Sequence, residues 1–244
     1  MDGVRLIDWD APGPYRVAFS TRLGGLSEGP FRSLNLGVLT GDEARRVFVN
    51  RHRLCVAVGA DPGRAAMAWQ QHGTRVVEAR PAGIIEEGSV FPRCDGLWSA
   101  KPGQAMALVT ADCLPVAIAR TEGDPALCVL HVGWRGLLAG IVSEGVRALG
   151  HGPLAAVIGP GIGPCCYVVG EEVARPCAAV FGDDVVEGSR LDLWTATARA
   201  LSVAGCEEVE RTDLCTACDA ELFFSHRRDG GRTGRQGIIA YVDE

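Results

Sequence analysis

The sequence predicts a mixed α/β sandwich, an α+β arrangement of mixed sheets with helices. Three observations lead there. Short apolar runs bounded by turn residues recur along the whole chain. Segments of helical spacing fall between them, as in Leu137, Ile141, Val142, Val146 and Leu149. The two kinds alternate without the regular strand–helix–strand rhythm of a doubly wound sheet.

Residues 4–9 and 15–20 are expected as early strands. A glycine loop at 21–27 and a turn at 33–37 follow. Asp42 is expected to cap a helix running to Val58 and ended by Gly59. Residues 66–70 and 74–79 are short strands on either side of His72-Gly73. Residues 104–110 and 114–119 form buried strands around Ala111-Asp112-Cys113, and the strand 126–132 carries His131. A helix over 136–149 precedes a strand at 154–158 and a rigid loop, 159–164. Helices are expected over 171–181 and 191–204. Two strands, 221–226 and 237–242, close the chain around an arginine-rich tip containing Arg227, Arg228, Arg232 and Arg235. Residues 1–244 are expected to form one domain.

The composition is that of a globular protein: 47% hydrophobic and 22% charged. A net charge of −6 without a basic run argues against nucleic-acid binding. The opening residues lack the basic and apolar regions of a signal peptide, and no apolar run reaches membrane-span length. A cytoplasmic setting without membrane contact is therefore expected. There the ten cysteines are read as metal ligands, nucleophiles or packing rather than as a disulfide framework.

Three segments carry chemistry: Gln70-Gln71-His72-Gly73, Thr110-Ala111-Asp112-Cys113, and His131-Val132-Gly133-Trp134-Arg135-Gly136. Each sets a metal-capable or nucleophilic side chain at the edge of an apolar run. His72, Cys113 and His131 lie far apart in sequence, so a shared site requires that the fold bring them together. Four readings stand: a zinc site with an open position, a cysteine nucleophile with a histidine base, a copper electron-transfer site, and plain packing. Copper is disfavoured because no Met shares a loop with a ligand, and five histidines are too few for several copper centres.

Cys215-x-x-Cys218 has metal-type spacing but lacks a second such pair, and the adjacent Cys165-Cys166 is a poor match to one. Loop packing or a redox-labile pair is the expectation there. Gly24-Gly25 after Arg22 reads as an ordinary turn, and the four late arginines as a solvated hairpin tip. His52 and His151 are expected at the surface. His226 is a weaker candidate for the pocket.

Together, the motifs at 20–27, 33–37, 71–73, Cys94-Asp95-Gly96-Leu97, 110–115 and 131–136 resemble the YfiH/YlmD family. Residues 158–167 and 223–231 extend the likeness over nearly the whole chain. The family carries the labels multicopper polyphenol oxidase and laccase domain. It includes purine nucleoside phosphorylases and a peptidoglycan editing factor. One departure is Val132, where the family usually has alanine; it should change packing, not ligation.

The resemblance implies a sandwich related to cysteine hydrolases of the cytotoxic-necrotizing-factor type. It implies that His72, Cys113 and His131 bind a catalytic Zn2+, with copper ranked second. It also implies phosphorolysis of adenosine, inosine, guanosine and methylthioadenosine, and deamination of adenosine. The partners would then be small molecules, a purine nucleoside and phosphate. Arg22 and Arg135 are expected to clamp the phosphate and Asn35 to hydrogen-bond ribose or phosphate. The alternative is an amide hydrolase acting on a peptidoglycan precursor, with Cys113 as nucleophile. A binding protein without turnover ranks below both.

Overall fold

A computed structural model describes residues 3–85 and 87–243. Its strands are β1 (Leu6–Trp9), β2 (Tyr15–Ser20), β3 (Ala66–Met67), β4 (Val76–Glu78), β5 (Gly96–Ser99), β6 (Met106–Thr110), β7 (Leu114–Arg120), β8 (Leu127–Val132), β9 (Leu154–Ile158), β10 (Val186–Glu187), β11 (Arg190–Leu191), β12 (Cys206–Arg211) and β13 (Gln236–Val242). Its α-helices are α1 (Ala44–Val58), α2 (Trp134–Ala139), α3 (Ile141–Leu149), α4 (Glu171–Phe181) and α5 (Leu193–Ala204).

One sheet has the order β1-β2-β13-β6-β3 and a second the order β12-β9-β7-β8-β5-β4; β10 and β11 form a small hairpin. Both large sheets are mixed. β3 joins β6 in parallel, as β12 joins β9 and β4 joins β5; the other neighbours are antiparallel.

The period-two alternation of β7 explains the layering. Leu114, Val116 and Ile118 pack under α2 to α5, with Cys128, Leu130 and Val132 beside them. Ala117 and Ala119 turn the other way and meet Phe19, Met106, Leu108 and Ile238 of the first sheet. Small residues on one inner face thus receive large ones from the other. Helix α1 covers the outer face of the first sheet through Leu54, Cys55 and Val58, against Ala18, Ile239 and Tyr241. The Tyr241 hydroxyl donates to the Val58 carbonyl at 2.7 Å. Val132 is fully buried in the helix-covered core, in keeping with a packing role for that departure.

Four sequence expectations are corrected. The helix expected over 136–149 is two helices, because Gly140 takes a left-handed φ of 97° and ends α2. Asp42 does not cap α1. Glu43 occupies that position without a side-chain cap, while the Asp42 carboxylate accepts from the Glu43 N–H and from Asn35. The strand expected over 221–226 is a buried turn. Both backbone groups of Phe224 pair with the side-chain amide of Gln236, at 2.8 and 3.0 Å, and so need no neighbouring strand. The arginine tip is not simply solvated, since Arg228 donates to the carbonyls of Thr216 and Phe223. Strands β5, β10, β11 and β12 are additional to those expected.

Helix α5 is capped by Asp192, whose carboxylate accepts from the Thr195 N–H at 2.9 Å. Asp192→Ala should cost about 1 kcal/mol, which at this chain length lowers the melting temperature by about 2–4 °C. Calorimetry of the variant beside wild type checks this.

Candidate functional site

His72, Cys113 and His131 come from three different stretches and meet at one end of the sandwich. Their ligand atoms all lie within 4.8 Å of one another. His131 is in β8, on the parity of Leu127 and Val129, which faces the first sheet. Cys113 directly precedes β7, and β7 and β8 are paired, with Pro115 opposite His131. His72 lies in the loop between β3 and β4. It adopts a φ of 59°, and Asp112, before Cys113, a φ of 91°. Non-glycine residues rarely take such backbone conformations, which persist where surrounding contacts hold them.

Asp95 supplies the contacts for His72. Its carboxylate is 1% exposed and accepts from the backbone N–H groups of Gln71, His72 and Gly73 at 2.8–3.1 Å. The same carboxylate lies 2.8 Å from His131 Nδ1. That contact fixes the His131 ring and leaves Nε2 for the shared centre. Nothing in the local pattern Cys94-Asp95-Gly96-Leu97 assigns Asp95 a role. The available signal was an acidic residue inside a motif of otherwise apolar and small residues.

The electrostatics follow from this geometry. Burial raises the Cys113 thiol, but the facing His131 and His72 imidazoles outweigh it and bring the pKa down to about 6. Burial disfavours the charged form of His131, yet Cys113 and Asp95 raise it to about 9. Burial also raises Asp95, and its bonds to His131 and to the loop N–H groups bring it below the usual carboxylate range. Two imidazoles and a readily formed thiolate are a donor set that zinc accepts with three protein ligands. Close packing requires glycine nearby. A Cβ at Gly133 would lie 3.0 Å from Cys113 Sγ and 3.3 Å from His72 Cδ2.

The trio lines a cleft of about 480 Å³. Trp69, Phe91, Trp134 and Tyr167 supply aromatic walls, and Arg51, Arg135, Arg227 and Arg235 supply positive charge. Trp69 and Phe91 are in contact, with ring centroids 5.6 Å apart. The Arg135 guanidinium is exposed and stacks 4.5 Å over Trp134. Arg51 is 4% exposed, donates to the carbonyls of Leu36 and Ile84, and has no carboxylate partner among the described residues. Burial lowers its pKa to about 10. His226 also lines the cleft, whereas His52 and His151 are exposed.

Two expected substrate contacts lie elsewhere. Arg22 borders a separate depression, where it donates to the carbonyls of Arg32 and Ala220 and stacks on Phe224. Asn35 is fully buried and uses its amide internally. It donates to Thr40 and Asp42 and accepts from the N–H groups of Gly37 and Arg235. Both brace loops; Asn35 thereby holds Gly37 and Arg235 at the cleft.

A family model described as multi-copper polyphenol oxidoreductase laccase matches residues 16–243. The chain belongs to this laccase-domain family, to which the YfiH and YlmD proteins are its relatives. A purine nucleoside phosphorylase of Pseudomonas aeruginosa is 35% identical, with 97% of each chain covered. The purine nucleoside phosphorylase YfiH of Escherichia coli is 36% identical over 96% of each. Among solved structures, YlmD of Geobacillus stearothermophilus matches with a TM-score of 0.88 at 31% identity, covering 96% of this chain and 93% of that one. YfiH of Bacillus licheniformis matches with 0.86 at 31% identity, covering 99% and 100%. No helix among the described residues is long and apolar enough to cross a membrane.

Two outcomes test the site. Asp95→Asn should weaken metal binding by about 10- to 100-fold, because the His131 ring loses its charged orienting partner; metal titration of the purified variant reads this. In metal-free protein, alkylation of Cys113 should rise with pH around a midpoint of about 6, since the thiolate is the reacting form. Peptide mapping separates it from the buried Cys55, whose pKa burial pushes up to about 12.

Proposed function

We propose that this protein is a zinc-dependent phosphorylase of purine nucleosides, adenosine, inosine, guanosine and methylthioadenosine, that also deaminates adenosine. The observation that carries this reading is one cleft holding a metal-capable trio, aromatic walls and a buried arginine without an acidic partner among the described residues. The phosphorylase names of the relatives support it.

In this reading His72, Cys113 and His131 hold the metal. Zinc there would supply a Lewis acid able to polarise substrate or activate water. Trp69 and Phe91 offer flat apolar surface for a purine. Arg51, Arg135 and Arg235 neutralise a phosphate, and burial of Arg51 strengthens its attraction to an anion. In phosphorolysis a phosphate oxygen bonds to ribose C1′ as the C1′–N9 bond breaks. Its electron pair stays with the purine, which takes up a proton. Deamination replaces the C6 amino group by water-derived oxygen in the same cleft and releases ammonia. Copper is the lesser choice, because multicopper chemistry needs more imidazoles than gather here.

A second reading is favoured by one specific contact. Cys113, His131 and Asp95 form a chain of nucleophile, base and orienting carboxylate, the arrangement of a cysteine hydrolase. Such an enzyme would cleave an amide, as in a peptidoglycan precursor, and kinship to hydrolases of the cytotoxic-necrotizing-factor type would accord with it. Phosphorolysis ranks first because it employs the arginines as well as the trio.

Adenosine with phosphate should give adenine and ribose 1-phosphate, and adenosine without phosphate should give inosine and ammonia. Phenol oxidation that scales with bound copper, without nucleoside cleavage, would reverse the assignment. Arg135→Ala should raise the KM for phosphate about tenfold, the scale of one charged hydrogen bond, with less effect on the nucleoside KM. Cys113→Ala should lose one zinc per chain together with activity. Unchanged zinc in an inactive variant would establish Cys113 as nucleophile instead.

A further inference from the structure

Away from the cleft's trio, four thiols converge. Cys165, Cys166, Cys215 and Cys218 place their sulfur atoms within 4.8 Å of one another. Cys218 lies 3.4 Å from both Cys165 and Cys166. The sequence leads to an expectation of loop packing or a redox-labile pair; the fold brings all four thiols to one place. The adjacent cysteines act as a pair because they lie on one tight turn, in which the Cys166 and Tyr167 N–H groups both donate to the Gly163 carbonyl.

We propose that Cys165, Cys166, Cys215 and Cys218 form a structural tetrathiolate zinc site, separate from the trio in the cleft. Zinc–sulfur bonds of about 2.3 Å in a tetrahedron set the sulfurs about 3.8 Å apart, close to the spacing found. Four thiols this close cannot surround an iron–sulfur cube, whose cysteines attach at its outer corners. Cys218 is equally near Cys165 and Cys166 and so has no preferred disulfide partner. All four are free thiols.

Backbone N–H groups converge on one of the four sulfurs. The Gly163 N–H donates to Cys215 Sγ at 3.3 Å. The amides of Ala217 and Cys218 also reach that sulfur. Neighbouring strands prearrange the loops. β9 and β12 run parallel, so the loops leaving them emerge at the same end. Gly161 and Cys215 pair as a parallel bridge, with Thr216 N–H donating to the Gly161 carbonyl at 3.1 Å.

The site bears on the cleft through Asp112. Thr216, between the two ligand cysteines of its loop, donates its hydroxyl to Asp112 Oδ1 at 2.7 Å. The Ile162 N–H donates to the Asp112 carbonyl at 2.8 Å. Zinc would therefore lock together the two loops that hold Asp112 in its left-handed conformation just before Cys113.

The test uses protein purified without added metal. Cys113→Ala, which leaves the cluster intact, should retain one zinc per chain. Adding Cys218→Ser should remove it. Cobalt substituted into Cys113→Ala should give the intense visible bands and thiolate charge-transfer absorption of a four-sulfur tetrahedral site. The wild-type chain provides a readout free of substitutions: the exposed Cys165 and Cys218 should resist alkylation until a chelator strips the metal. A Cys113→Ala protein that holds no zinc and takes up no cobalt would overturn the proposal. So would a disulfide among these cysteines, an iron–sulfur spectrum, or rapid alkylation of Cys165 and Cys218 before chelation. The loss of zinc on adding Cys218→Ser, the four-sulfur cobalt spectrum and the alkylation of Cys165 and Cys218 do not depend on what the cleft binds.

Discussion

The Asp95 carboxylate is the contact on which the site depends. It gathers three consecutive backbone N–H groups, those of residues 71–73, and the ring of His131. Such a carboxylate stays charged although buried, because four donors replace the water it has lost. The loop in turn has little freedom. His72 is held in a left-handed conformation that an unrestrained histidine would leave, and its imidazole faces His131 at a ring separation of 4.8 Å. Asp95 thus positions one of the trio through its backbone and another through its side chain.

The sandwich supplies what Asp95 cannot. Pairing of β7 with β8 fixes the distance from Cys113 to His131, since both belong to the same end of one strand pair. The face on which His131 lies is set by the alternation that buries Val129 against the first sheet. Slipping β8 by one residue would turn the imidazole into the helix-covered core. The hydrophobic packing and the chemistry are therefore one constraint: the register that buries β8 also aims His131.

On the other side of Cys113, Asp112 does for the bend what Asp95 does for the His72 loop. It receives Thr216 and Arg227 through its carboxylate and Ile162 through its carbonyl. The cleft is thus framed by two buried acids, each fixing a left-handed residue beside a donor. The arginines come from distant elements: Arg51 from α1, Arg135 from α2, Arg227 and Arg235 from the segment before β13. The helices that carry Arg51 and Arg135 cover different sheets, so positive charge reaches the cleft from both sides of the sandwich.

Much of this was legible in the sequence. The alternating and helical periodicities marked most strands and helices, because burial of one face imposes a period that survives in the residue order. His72, Cys113 and His131 stood out because reactive side chains at the edges of apolar runs are uncommon. Other features were set only by tertiary contact. Gln236 satisfies Phe224 across a turn and so removes an expected strand. Asn35 and Arg22 have polar side chains suited to a ligand, but neighbouring protein groups claim them. Asp95 and Arg51 gain their roles from partners in other segments, which no local pattern records. The four cysteines become a cluster because parallel β9 and β12 release their loops at the same end. Sequence determined which groups could do chemistry and which faces had to be buried. The tertiary structure decided which groups share a centre, because convergence of distant segments depends on strand order and register rather than on local spacing.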